Sequence, residues 1–154
     1  MVKVSVIIPV YGVENYIERC ARSLMEQTLD EMEFIFVNDC TQDSSITILK
    51  RVIGEYKNRE KNVKIVHHDI NRGLPQARKT GVLNATGDFV AHCDSDDWVD
   101  RELYEKLYYS ASSKVSDVAV CDFQVHRPDV IDLRVGTRTN DIDTYRLNLL
   151  FQKE

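Results

Sequence analysis

The chain has 154 residues, of which 43% are hydrophobic and 29% charged, and its net charge is −5 at pH 7. That length can bury one real core without disulfide staples or a structural metal, and scattered basic residues on an acidic chain exclude a nucleic-acid binder that neutralises many phosphates. The four cysteines, Cys20, Cys40, Cys93 and Cys121, lack the paired spacing of a zinc site and are expected as reduced, mostly buried thiols.

Residues 4–10, Val-Ser-Val-Ile-Ile-Pro-Val, are a β-branched run of the kind found in strands covered on both faces, with Pro9 placed to end pairing. From Val13 the apolar positions become Ile17, Cys20, Ala21, Leu24 and Met25, a helical stripe opposite Glu18, Arg19, Arg22 and Glu26. Residues 33–38 restore the strand pattern, and Asp43-Ser44-Ser45 offers capping oxygens to a helix carrying Ile46, Leu49, Val52, Ile53 and Tyr56. Residues 63–67 read as a third strand, and a turn through Asn71-Arg72-Gly73 leads to a helix over 75–84, which Gly87 is expected to close with positive φ. A fourth strand over 88–93 follows, then a helix bearing Leu103, Leu107 and Ala111 with Asp100 as its cap, and a fifth strand over 115–125. The segment 130–139 is polar, and Ile142, Tyr145, Leu149 and Leu150 predict one apolar side of a final helix, a core or dimer contact. Alternating strands and helices predict an α/β domain with a mainly parallel sheet, placed at 1–127, with 128–154 as a tail of uncertain role.

Asp94-Ser95-Asp96-Asp97 puts three carboxylates within four residues straight after the fourth strand. Crowded carboxylates repel one another unless a cation or several donors sit among them, and Mg²⁺ or Mn²⁺ prefers one or two carboxylates plus phosphate oxygens. Ligands of open α/β sheets bind beyond the carboxyl ends of the strands. Here those ends carry Pro9-Val10-Tyr11, Asn38-Asp39, His68-Asp69 with Asn71-Arg72-Gly73, and the Asp94 cluster. An aromatic, hydrogen-bonding groups, an arginine and a metal cluster suit a base, a ribose, a diphosphate and an ion, which together make a nucleotide. A dinucleotide-binding dehydrogenase is disfavoured because the turn after the first strand, Tyr11-Gly12-Val13-Glu14-Asn15, lacks the glycine fingerprint. The basic glycine-rich loop of sugar nucleotidyltransferases is missing there as well.

From Val4 to about Val125 the chain resembles the nucleotide-binding part of an inverting family 2 glycosyltransferase of the GT-A fold, an α/β/α sandwich. The resemblance rests on Pro-Val-Tyr at 9–11, on Val37-Asn38-Asp39-Cys40-Thr41-Gln42-Asp43, on Asn71-Arg72-Gly73-Leu74-Pro75-Gln76-Ala77-Arg78, and on Gly87-Asp88-Phe89 running into Asp94-Ser95-Asp96-Asp97-Trp98. It implies a nucleotide-sugar donor, a UDP-sugar, bound with Mn²⁺ or Mg²⁺, and a glycan or lipid-linked acceptor. Asp39 would accept the imide N–H of uracil, with Pro9 and Tyr11 lining base and ribose. Arg78 would approach the base or diphosphate, Asp96 would bind the metal, and Asp94, with Ser95 beside it, would serve a ribose hydroxyl or the metal. Glu14 matches an acidic position after the first motif, or it favours the first turn of its helix. Asp43 is read as an N-cap, Gly73 and Gly81 as structural glycines, and Trp98 as an anchor of the following loop in the core.

No general base is identifiable: Asp122 and His126 are titratable but do not match the family's base position. The alternative is therefore a truncated or incomplete nucleotide-sugar-binding module without turnover. No apolar run reaches the ~20 residues that cross a bilayer, and residues 1–5 do not form a secretory signal. A cytoplasmic protein is expected, at most peripheral at the inner face of the membrane.

Overall fold

β1 (Val4–Val10) is buried along its whole length, as its unbroken apolar run requires when helices cover both faces of a sheet. The computed structural model describes residues 1–127, 130–134 and 150–152. After β1 come α1 (Ile17–Met25), β2 (Met32–Asn38), α2 (Ser45–Glu55), a 3₁₀ turn (Glu60–Asn62), β3 (Val63–His67), α3 (Leu74–Asn84), β4 (Phe89–His92), α4 (Leu103–Lys114) and β5 (Val118–Ala119). β6 (Phe123–Arg127) and β7 (Val130–Arg134) pair as a separate antiparallel ribbon, and β8 (Leu150–Gln152) joins the main sheet.

The six-stranded sheet runs β3-β2-β1-β4-β8-β5. β3, β2, β1 and β4 are mutually parallel, and β8 runs antiparallel between β4 and β5. Alternation along β1 sends Val4, Val6 and Ile8 to one face, where they pack with Leu24, Leu49 and Leu107 of α1, α2 and α4. Ile7 goes to the other face, with Ile35, Val37 and Ala77 of α3. Each fully buried aliphatic or Phe side chain contributes about 1.5–3 kcal/mol of transfer free energy. The expected α/β sandwich is thus formed, with one antiparallel strand among parallel ones.

Pro9 ends pairing on one side only. The Ile7 carbonyl accepts from the Cys93 N–H of the β4 chain at 3.0 Å, whereas the Val10 carbonyl accepts from the Asp39 N–H on the β2 side, also at 3.0 Å. Pro9, two residues beyond Ile7, faces β4 and has no N–H to offer it. The ladder to β4 accordingly stops at Ile7, while that to β2 continues through Val10. The chain after β4 is released from the sheet just where the acidic cluster begins.

Two glycines permit close packing. A Cβ on Gly81 would overlap Ile7, so its absence lets α3 lie tightly against β1. Gly87, expected to close α3 with positive φ, does not adopt it. A Cβ there would fall 2.8 Å from both the backbone nitrogen and the hydroxyl oxygen of Ser5. Ser5 Oγ accepts the Gly87 N–H at 2.9 Å and donates to Glu33 Oε1 at 2.6 Å. Burial opposes ionisation of Glu33, but hydrogen bonds from Ser5, Lys64 and Thr86 outweigh it and hold the carboxyl at about 2.

Other expectations needed correction. The fifth strand over 115–125 is divided: only Val118–Ala119 pairs in the main sheet, and Phe123–Arg127 belongs to the ribbon. Alternating hydrophobicity is the same in a sheet strand and in a ribbon leaving the sheet, so it does not separate them. Leu150, expected on a final helix, lies in β8; Ile142, Tyr145 and Leu149 lie outside the described residues. At α4 the Leu103 N–H is accepted by the backbone carbonyl of Asp100 at 3.1 Å, not by a carboxylate cap.

α4 ends with the Ser116 N–H on the Ala111 carbonyl at 3.0 Å and the Val115 N–H on the Ser112 carbonyl at 3.4 Å. This closure places Val115 at φ 49°, a left-handed position that favours glycine and strains a β-branched residue. Val115 is 94% exposed and packs against little. Val115→Gly is expected to raise the unfolding free energy by about 1 kcal/mol, read as a higher urea midpoint with an unchanged m-value.

Candidate functional site at the carboxyl edge of the sheet

β2, β1 and β4 lie side by side and parallel, so the segments after them emerge at one edge. With strands about 4.8 Å apart, residues following β2 and β4 are separated by roughly 10 Å across β1. Asp39, Tyr11 and Asp94 occupy these places in order.

The first two segments are clamped together. Gly12, at φ 68°, starts a turn whose successive N–H groups are taken by side chains of the other loop. Gly12 donates to Thr41 Oγ1 at 2.9 Å, Val13 to Ser45 Oγ at 3.1 Å and Glu14 to Asp43 Oδ2 at 2.9 Å. Glu14 Oε2 in return accepts the Ser44 N–H at 3.0 Å. Because α1 starts at Ile17, Glu14 is not in its first turn. The N-cap of α2 is Ser44 rather than Asp43 as expected, but Asp43 Oδ1, one residue earlier, takes the N–H of Ser45, the first residue of α2, at 3.1 Å and the Thr41 hydroxyl at 2.8 Å. Burial opposes its ionisation, but these hydrogen bonds prevail and hold the Asp43 carboxyl at about 2.

Asp39 is buried, and its carboxylate gathers three donors from the chain after β3. Oδ1 accepts from His68 Nδ1 at 2.7 Å and the Arg72 N–H at 2.8 Å, and Oδ2 accepts the Gly73 N–H at 2.7 Å. Burial works against the charge, and the His68 and backbone hydrogen bonds overcome it, so the carboxyl stays below its ordinary range. Gly73 adopts φ 81° to enter α3, the structural turn expected of it.

α3 carries the connection onward to the acidic turn. Arg78 donates to Asp94 Oδ1 at 2.7 Å. Its buried Nε has no partner among the described residues, and neither does His92 Nδ1 on the adjoining strand. The Asp94 carbonyl accepts the thiols of Cys20 at 3.8 Å and Cys93 at 3.6 Å and the Asp97 N–H at 3.0 Å. Cys20 and Cys93 are buried and all four cysteines are free. Ser95 is buried within the turn, whereas Asp96 and Asp97 are exposed. Burial raises the Asp97 carboxyl, the charges of Asp96 and Asp94 raise it further, and Arg19 pulls it down.

That repulsion is an excess of negative charge which a cation would relieve. Among the described residues no group of three or more His, Cys, Asp or Glu side chains is arranged to hold a metal ion alone. The donor set fits a hard divalent cation that keeps water and takes phosphate oxygens from its ligand.

Tyr11 is 54% exposed just beyond β1, and Pro9, two residues earlier, is buried within that strand. Trp98 departs from expectation. It is exposed, with the Arg19 guanidinium 3.5 Å from its ring centroid, while buried Val99 anchors the loop and donates its N–H to Ser23 Oγ at 3.2 Å. An open groove of about 570 Å³ runs from Trp98 along α1, past Arg19, Arg22 and Arg101. Both ring nitrogens of His68 are engaged, and its partners Asp39 and Thr80 are brought to it only by the fold.

Residues 5–154 match the family described as Glycosyl transferase family 2. The uncharacterized glycosyltransferase EpsJ of Bacillus subtilis is 36% identical over 126 residues, covering 82% of this chain and 35% of that protein. A poly(ribitol-phosphate) beta-glucosyltransferase of Bacillus spizizenii is 34% identical over 121 residues, 77% of this chain and 18% of that one. Among solved structures, S. aureus TarS 1-349 in complex with UDP aligns with a TM-score of 0.74 at 28% identity, covering 84% of this chain and 38% of TarS 1-349. The chain therefore spans between roughly a sixth and two fifths of the length of these relatives.

Asp43→Asn removes the charge to which three donors of the loop clamp are directed, and is expected to cost about 1–3 kcal/mol at pH 7. The folded carboxyl titrates at about 2, below its ordinary 3.8. Its contribution is thus complete above the ordinary value and fades as pH falls toward 2. Urea denaturation at several pH values should show wild type and variant converging over that window.

Proposed function

This chain belongs to glycosyltransferase family 2 and shares its fold, that of the GT-A glycosyltransferases, with TarS; from that premise we propose that it transfers a sugar from a nucleotide-sugar donor, a UDP-sugar, to a hydroxyl of a glycan or lipid-linked acceptor, with inversion. The observation that carries this reading is the bonded path from Asp39 through Gly73 and α3 to Arg78 and Asp94, which joins two ends of one ligand-sized edge. UDP bound to TarS supports the choice of uridine. Because the relatives are glycosyltransferases, the binding-only alternative is not favoured.

In this reading Asp39 Oδ2, with one acceptor position left after Gly73, takes the imide N–H of uracil. Tyr11 lines the base and ribose as an exposed flat surface, over the wall set by Pro9. Glu14 and Asp43 hold the loop that presents Tyr11. Arg78 carries positive charge to the diphosphate and orients Asp94. Ser95, being buried, supports the turn that projects Asp96 outward. Asp96, assisted by Asp94, would hold Mn²⁺ or Mg²⁺, which when bound supplies Lewis-acid stabilisation of the departing diphosphate. Inversion needs a base within about 3 Å of the acceptor hydroxyl proton, and no described residue is assigned to that task. Among the described residues no helix is long and apolar enough to cross a membrane, and we place the reaction on the cytoplasmic side.

Thermal denaturation with Mn²⁺ and a panel of UDP-, GDP- and CDP-sugars tests the donor. Stabilisation by a UDP-sugar is expected, because a ligand that binds only the folded state raises its stability; stabilisation by none of the panel would overturn the reading. Asp96→Asn is expected to weaken Mn²⁺-dependent UDP binding about tenfold or more, about 1.4 kcal/mol. As an exposed substitution it should change folding stability by no more than about 0.5 kcal/mol. Equal Mn²⁺-UDP binding by both proteins would remove Asp96 from the metal site.

A further inference from the structure

The Asp39 carboxylate does not stand alone. His68 Nδ1 lies 2.7 Å from its Oδ1, and His68 Nε2 lies 2.8 Å from Thr80 Oγ1 on α3, with the His68 and Asp39 side chains each 5% exposed. An ionised carboxylate only accepts, so Nδ1 carries the proton; in the neutral ring Nε2 then accepts the Thr80 hydroxyl. Oδ1 is saturated by His68 and the Arg72 N–H, whereas Oδ2 holds the Gly73 N–H alone. The two oxygens are therefore unequal, and the one acceptor position left free lies on Oδ2.

We propose that His68 and Thr80 are positioning residues for nucleobase selection: Thr80 holds the imidazole ring in orientation, His68 fixes the plane of the Asp39 carboxylate, and the remaining acceptor on Oδ2 is thereby aimed at a base N–H. This rests on the nucleotide-sugar reading above and adds to it the machinery of discrimination. Uracil presents a ring N–H to such an acceptor. Cytosine presents a ring nitrogen lone pair at the same place, and a site built around a hydrogen bond rejects the analogue that cannot make it. With His68 removed, Oδ1 regains a free acceptor position, the carboxylate can rotate, and the distinction between its oxygens is lost. Among the described residues the side-chain hydrogen bonds of His68 go to Asp39 and Thr80 and none to the acidic turn carrying Asp96, so metal dependence should not follow the same changes.

The test is the ratio of UDP to CDP affinity in the presence of Mn²⁺, measured by calorimetry for wild type, His68→Leu, His68→Asn and Thr80→Val. His68→Leu should reduce the ratio about tenfold, the worth of one hydrogen bond to a charged group. His68→Asn, whose amide N–H can take the place of Nδ1, should restore most of it. Thr80→Val, nearly isosteric, should lower the ratio while leaving the circular dichroism spectrum and the Mn²⁺ concentration dependence unchanged. An unchanged ratio in both His68→Leu and Thr80→Val, with UDP still preferred, would overturn this inference alone. Failure of the wild-type protein to bind either nucleotide would overturn the donor reading and this inference with it. If His68→Leu does not fold, Thr80→Val and His68→Asn decide the matter.

Discussion

Parallel pairing of β1 with both β2 and β4 leaves the chain no short way back, because each parallel neighbour must be reached by a crossover that starts from the same edge. Burial of β1 on both faces gives this arrangement its stability. The gathering of Tyr11, Asp39 and Asp94 is a consequence of it. A polar side chain buried within these strands needs a partner, as Ser5 and Glu33 have in each other, and the other polar residues of the site lie just beyond the strand ends, where backbone groups leave the ladder and need partners.

The carboxylates at that edge divide into two kinds. Asp39 and Asp43 are enclosed by N–H, hydroxyl and imidazole donors, and Glu14 holds a backbone N–H of the neighbouring loop. Asp96 and Asp97 project into solvent from a turn whose other members are Asp94 and buried Ser95, and their mutual repulsion is offset only in part by Arg19. The first kind builds the walls, at a desolvation cost that several short hydrogen bonds repay. The second keeps an electrostatic demand that a bound cation would meet.

α3 links the two kinds. Its entry is fixed by Asp39 through the Arg72 and Gly73 N–H groups, its middle bears Arg78 on Asp94, and Gly81 allows it to sit against Ile7. A helix held this closely to the central strand transmits displacement of one loop to the other, because packed interiors have little room to absorb it. The absence of an N–H at Pro9 has the opposite effect on the chain after β4, which leaves the sheet at the acidic turn. Rigidity on the Asp39 side and release on the Asp94 side thus arise from neighbouring features of β1.

The sequence alone determined the strands and helices up to α4, because continuous β-branched runs and 3.6-residue periodicity are local signals. It also marked Asp39 and the Asp94 cluster, because residues just beyond strands share one edge of a parallel sheet, whereas Arg78, inside α3, was marked only by the family resemblance. The later chain was not legible in the same way: β5 and β6 have one alternating pattern but belong to different sheets, and Leu150 looks helical by spacing yet pairs beside β4. The roles of Trp98 and Gly87 were likewise set by what packs against them, Arg19 in one case and Ser5 in the other. Only the tertiary structure decided the partners of each carboxylate, since Asp39 meets His68 and Gly73 from about 30 residues away and Asp43 meets Glu14 from a similar distance. Hydrogen bonds between loops depend on where separate strands end in space, and one-dimensional periodicity carries no record of that.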